Sequence, residues 1–354
     1  MEVYIPSNVE ELERRLGASW PNLQKARTNA YEMKSKLEGV LATMPPLPEE
    51  ISLVVFGSLA RKEFTDGSDV DWKLLVDGVA DTQHLELALD FKQKLKDEDI
   101  KQPGQEGTFE GLAFSHDIIH KIGGGDDTNN NTTQRILLLL ESESIGTAIV
   151  SERVIKGVLK RYIAEDHRTT MPKVPRFLLN DIVRYWRTMA VDFGYKRRQR
   201  QGKGTALRTI KLRMSRKLIF SSGLLACFAC EIDKKLGSEL SLIKDDNELS
   251  NQIINYLFNI LRQPPLDILA SIVLSHGNGL YSPAQKVFDS YDKFIGLIND
   301  HGNREHLEKL LPQEVNADGV YQEAKDLSYV FQNGLEDIFF SKNLFEQTKK
   351  YGVF

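Results

Sequence analysis

The chain has 354 residues, 41% of them apolar and 27% charged, with a net charge of −4. That length suits about two domains. No apolar run approaches the roughly 18 residues that cross a bilayer, and "MEVYIPSNVEELERR" lacks the basic and apolar regions of a secretory leader, so membrane insertion is excluded and a soluble, cytoplasmic protein is expected.

The predicted elements begin with an amphipathic helix from Leu23 to Met44, where Leu23, Ala26, Ala30, Met33, Leu37 and Leu41 recur at steps of three and four. "MPPLPEE" ends it, because proline lacks the helical N–H and biases its predecessor to extended geometry. "ISLVVF" (51–56) is a continuous β-branched run and reads as a buried strand stopping at Gly57. "SLARKEF" suits two helical turns with Ser58 near the N-cap, and "TDGS" is a turn. From Asp69 to Asp77 the residues alternate, with Val70, Trp72, Leu74 and Val76 on one face and Asp69, Asp71 and Lys73 on the other.

A further strand is expected over 111–122, "GLAFSHDIIHKI", with His116 and His120 decorating it. The loop "GGGDDTNNNTT" and an apolar helix, "QRILLLLESES", follow. Downstream the period is helical almost throughout, including one continuous helix from Leu207, "LRTIKLRMSRKLIFSSGLLACFACEI", and Pro172 and Pro175 mark the expected boundary. Within that helix Cys227 and Cys230 have no second Cys pair to complete a zinc site, and they read as buried thiols.

Asp69 and Asp71 leave one face of a strand only about 7 Å apart at the backbone. Two like charges that close oppose each other unless a cation lies between them, and magnesium prefers hard oxygen ligands together with substrate phosphates. Gly57-Ser58 complements them, since a glycine admits close approach and the N–H groups opening a short helix point at an anion. Between Arg184 and Lys217 twelve basic residues stand against one acid, Asp192, so that segment also expects an anion. Arg208, Lys211 and Ser215 share a helical face by spacing.

"GSLARKEFTDGSDVDW", a Gly-Ser followed after ten residues by Asp-x-Asp, resembles the signature of the polymerase-β-like nucleotidyltransferases. The resemblance implies an α+β fold: a nucleotidyltransferase core with a mixed β-sheet and an N-terminal helix over residues 1–170, then a mainly helical domain over 171–354 that completes the nucleotide site. It implies triphosphate contacts from Gly57 and Ser58, and magnesium or manganese bound by Asp69 and Asp71. A third carboxylate is expected on a neighbouring strand; Asp117 is the choice, with Asp126 and Asp127 as rivals. A second-domain helix supplies a lysine to the triphosphate in this family. Lys211 fits that role, with Arg208 and Lys217 in reserve.

The chain also resembles, within that superfamily, bacterial antiphage-defence enzymes of the cyclic-oligonucleotide and Hailong types. The implied partners are an NTP (ATP among them) or dNTP donor, an oligonucleotide or cyclic nucleotide product and a downstream effector protein. Tyr351, in the tail "FEQTKKYGVF", is a candidate acceptor hydroxyl for priming. The alternatives are nucleotidylylation of a protein or tRNA, and an inactive regulatory module of the same fold.

Overall fold

The computed structural model describes residues 6–103, 111–166, 174–199 and 202–353. The chain opens with α1 (Asn8–Leu16) and α2 (Pro21–Ala42), followed by β1 (Ile51–Phe56), the single turn α3 (Gly57–Ala60) and β2 (Asp71–Val76). Then come α4 (Thr82–Asp97), β3 (Leu112–Phe114), α5 (Ser115–His120), α6 (Asn129–Leu140), β4 (Ser142–Ile145) and α7 (Ile149–Glu165). The remainder is helical: α8 (Arg176–Gln199), α9 (Thr205–Lys211), a π turn (Leu212–Arg216), α10 (Lys217–Ile232), α11 (Lys234–Leu240), α12 (Asp246–Leu261), α13 (Pro265–His276), α14 (Tyr281–Asn299), α15 (His301–Lys309), α16 (Gly319–Phe339) and α17 (Phe345–Gln347).

The four strands form a mixed sheet in the order β3-β2-β1-β4. β1 pairs antiparallel with β2 and β4, and β2 runs parallel to β3. This is the expected α+β architecture, a small mixed sheet followed by a mainly helical region.

β1 is buried on both faces, which explains its continuous apolar run. Ile51, Leu53 and Val55 join Trp72, Leu74 and Val76 in a cluster against α2 and α4, while Val54 and Phe56 join Leu75 in a cluster with α6 and α7. The polar face expected for β2 is therefore largely covered: Lys73 is only 7% exposed, and its ammonium is pulled below the usual lysine range by burial.

Three expected elements change form. The strand over 111–122 shortens to Leu112–Phe114, and the chain then turns into α5. His116 and His120 are consequently i and i+4 neighbours on a helix, ring centroids 5.2 Å apart. "SESI", expected to extend the preceding helix, is the edge strand β4, because Glu141 leaves helical geometry at φ −147°. The helix expected to run unbroken from Leu207 is interrupted by the π turn, which resets the side-chain directions after Lys211. Ser215 accordingly faces the interior and bonds Tyr291 Oη at 3.1 Å instead of sharing an outer face with Arg208 and Lys211.

The helical region holds the N-terminal helices through side chains. Trp20 stacks on Phe288 with centroids 4.6 Å apart and donates to Asp289 at 2.8 Å. Asp292 of α14 accepts from the backbone N–H groups of Asn22 and Leu23, each at 2.9 Å, and so satisfies the start of α2, whose own N-cap residue supplies no bond. Cys227 and Cys230 are free and buried, as expected. No helix among the described residues is long and apolar enough to cross a membrane.

Candidate active site

β1 ends at Phe56, which pairs across the sheet with Asp71, the first residue of β2. Gly57 follows at φ +67°, in the left-handed region that favours glycine. A Cβ built on it would stand 2.6 Å from Asp71 Oδ2, so the glycine is needed for its backbone angle and for the carboxylate beside it. Ser58, half-buried, sits in the same turn. The sheet therefore brings the Gly-Ser turn and the Asp-x-Asp pair together.

Asp69 and Asp71 are both half-buried. Burial, and then the neighbouring Asp69 charge, push the Asp71 carboxyl up to about 7, against the pull of Arg216 and Arg61. No group of three or more His, Cys, Asp or Glu among the described residues could hold a metal by itself. Two carboxylates still suit magnesium, which commonly takes one or two together with substrate phosphates and water.

Asp69 opens into a cleft of about 710 Å³ lined also by Lys101, Lys203, Arg208, Lys211, Arg304 and Glu308. Five cations against two acids leave its lining net positive. Lys211 and Arg208 come from α9, and both line the cleft. Burial, then the charge of Arg304, push the Lys211 ammonium down to about 8. Lys217 does not line the cleft: it follows the π turn, and its ammonium bonds Gln332 of α16.

Asp117 is not brought to this site. β3 runs beside the second half of β2, Leu112 against Leu74 and Phe114 against Val76, so the chain leaves β3 at the end of the sheet away from Asp71. Five residue steps of strand separate Val76 from Asp71, about 17 Å. Asp117 instead lies in the first turn of α5, where an acid suits the helix dipole, and pairs with Lys121 at 2.5 Å. Asp126 is exposed in a turn. Asp127 is buried in an ion-pair network, 3.0 Å from Arg135 and 2.7 Å from Arg184, and fixes the segment before α6.

Sequence reasoning missed Glu141. It precedes Ser142, which pairs with Phe56, the partner of Asp71. Its fully buried carboxylate bonds Arg61 at 2.5 Å and Arg216 at 2.9 Å, and its charge reaches Asp71. Arg61 also bonds Glu63 at 2.9 Å. The overlooked signal was Glu141-Ser142-Glu143, an acid-x-acid pair at a strand start like Asp69-Val70-Asp71. Glu143 is engaged by Lys62 and, at 2.9 Å, by Lys34. Arg304 and Lys101 were also missed, because each is far in sequence from the motif.

Tyr351 docks on the helical body. Its hydroxyl donates to Glu231 at 2.9 Å and its ring packs near Phe228. Glu231 lies 14 residues beyond Lys217 along α10, about 21 Å of helix.

Residues 34–106 match the nucleotidyltransferase domain family. The match takes in the end of α2, β1, the Gly57-Ser58 turn, Asp69, Asp71 and α4, and it supports nucleotidyl transfer in general. No curated protein matches the chain significantly.

Proposed function

We propose that the protein transfers a nucleoside monophosphate from an NTP or dNTP to a hydroxyl, with magnesium or manganese held by Asp69 and Asp71. The observation that carries this reading is the close approach of Gly57 to Asp71, two residues from Asp69, which lines a cleft with five Lys and Arg side chains. A bound divalent ion would stabilise the charge on the entering and leaving oxygens. Gly57 leaves room for the Asp71 carboxylate, and the N–H groups opening α3 and the Ser58 hydroxyl suit phosphate oxygens. Lys211 and Arg208 offset the triphosphate charge, with Arg paired to phosphate in its planar fork.

The acceptor and product rest on the family resemblance. We assign an oligonucleotide or cyclic nucleotide signal in antiphage defence, read by an effector protein. Priming on Tyr351 requires the tail to leave Glu231 and cross the length of α10.

The test is incubation of the pure protein with Mg²⁺ or Mn²⁺ and each of the eight α-labelled ribo- and deoxynucleoside triphosphates, resolved before and after protease. Asp71→Asn is expected to lower transfer by about a thousandfold or more, since metal stabilisation supplies several kcal/mol, while circular dichroism and melting remain those of a folded protein. Near-wild-type transfer in folded Asp71→Asn overturns the site. Label appearing on added tRNA or protein selects the toxin-like alternative, and no transfer under any of these conditions selects the inactive module.

A further inference from the structure

The cleft beside Asp69 is closed from the C-terminal side by a residue far outside the matched domain. Arg304, on α15, has a side chain only 11% exposed and lines the cleft with Lys211. Its Nε lies 3.4 Å from Glu308 Oε1, and its Nη1 3.3 Å from Thr65 Oγ1. Both contacts are long for a guanidinium, whose charge-assisted bonds run about 2.7–2.9 Å.

Arg304 lies close against bare backbone. A Cβ on Gly67 would fall 2.9 Å from Arg304 Cδ and 3.1 Å from Cζ, so the glycine leaves room for the guanidinium as it lies against the turn that leads to Asp69. The same turn is held at Asp66, whose N–H donates to Asn299 at the end of α14 at 3.0 Å, and at Gly67, whose carbonyl accepts from Lys101 at 2.9 Å. Arg304 and Lys211 thus face one cleft from different helices, two like charges with one space between them. A polyanion between them relieves their repulsion and completes the coordination that Glu308 and Thr65 supply only loosely.

We propose that Arg304 is a donor-binding residue that meets the triphosphate opposite Lys211, exchanging its contacts with Glu308 and Thr65 for phosphate oxygens. This rests on the nucleotidyl-transfer reading of the same cleft. Because the guanidinium packs on the Thr65–Asp69 turn, occupation by phosphate and the placement of Asp69 are coupled.

The experiment titrates the full chain, in Mg²⁺, with inorganic tripolyphosphate by calorimetry, so that no base or sugar contributes. Arg304→Gln is expected to weaken binding by about tenfold or more, the ordinary effect of losing a charge-assisted contact, and Arg304→Lys to recover part of it. Glu308→Gln, which removes the competing carboxylate and leaves Arg304 packed on Gly67, is expected to tighten binding several-fold. A wild-type chain that binds neither tripolyphosphate nor any nucleoside triphosphate overturns the nucleotide reading and this inference together. Wild-type binding that Lys211→Gln weakens and folded Arg304→Gln leaves unchanged overturns the role of Arg304 alone. Should Arg304→Gln fail to fold, Glu308→Gln decides, and unchanged or weaker binding there overturns the exchange.

Discussion

At the scale of single residues, Gly57 carries two constraints at once. Alanine there must hold φ near +67°, which costs about 1–2 kcal/mol, and must displace the Asp71 carboxylate. Gly57→Ala is expected to lower the melting temperature modestly and transfer by about a hundredfold or more, because small misplacements at a reacting centre are costly. A variant that melts lower yet transfers at the wild-type rate would show that the turn serves folding alone. Lys211 makes a pH prediction. Its folded pKa of about 8 lies below the ordinary 10.5, so the folded protein binds fewer protons than the unfolded chain between about pH 8 and 10.5, and this residue's contribution makes stability rise with pH across that window. A bound triphosphate favours the charged ammonium and reverses the shift. Binding is therefore expected to take up protons near pH 8 and to weaken between pH 7 and 9. Calorimetry in two buffers of different ionisation enthalpy reads the uptake, and Lys211→Met should abolish it.

At the scale of elements, the junction between α6 and β4 decides how the site is braced. The chain leaves α6 at Glu141, and that buried carboxylate draws Arg61 from the turn after α3 and Arg216 from the π turn toward one point. Glu141→Gln removes one of the two carboxylates that hold the buried Arg61, together with the ion-pair partner of Arg216, and is expected to cost about 3 kcal/mol in urea denaturation. A loss below about 0.5 kcal/mol would mean that Glu63 alone satisfies Arg61. The same junction shows why "QRILLLLESES" misleads: the buried helical run from Ile136 continues as far as Leu140, and a serine-glutamate alternation of only four residues carries too little period to announce an edge strand. For Asp117 the competing factor was helix chemistry. An acid in a first turn is favoured by the dipole, and β3 needs only three residues to pair with β2.

At the scale of the whole molecule, one apolar cluster joins residues from Val9 to Leu344, including Phe56 of β1, Leu139 of α6, Phe228 of α10 and Phe288 of α14. The site depends on that continuity, since Asp69 comes from the segment just before β2, Lys211 from α9 and Arg304 from α15. Unfolding of the full chain is expected to be one cooperative transition, with far- and near-ultraviolet circular dichroism changing together as urea rises. Separate transitions, or a stable fragment spanning 174–354 after limited proteolysis, would show that the helical region folds independently.

The sequence by itself determined the Gly57-Ser58 turn, both strands that flank it and the nearness of Asp69 to Asp71, although the strand expected from Asp69 starts only at Asp71; these follow from local rules, a β-branched run, a glycine where the backbone must turn tightly, and two acids two positions apart. It also marked the basic stretch containing Arg208 and Lys211, where charge density is readable without coordinates. Only the tertiary structure decided which distant charges meet that pair. Arg304 lies 235 positions after Asp69, and Glu141 reaches the site through β4's pairing with β1. Neither spacing nor composition encodes such an encounter; it arises when burying apolar helix faces brings α9, α15 and the sheet around one cleft.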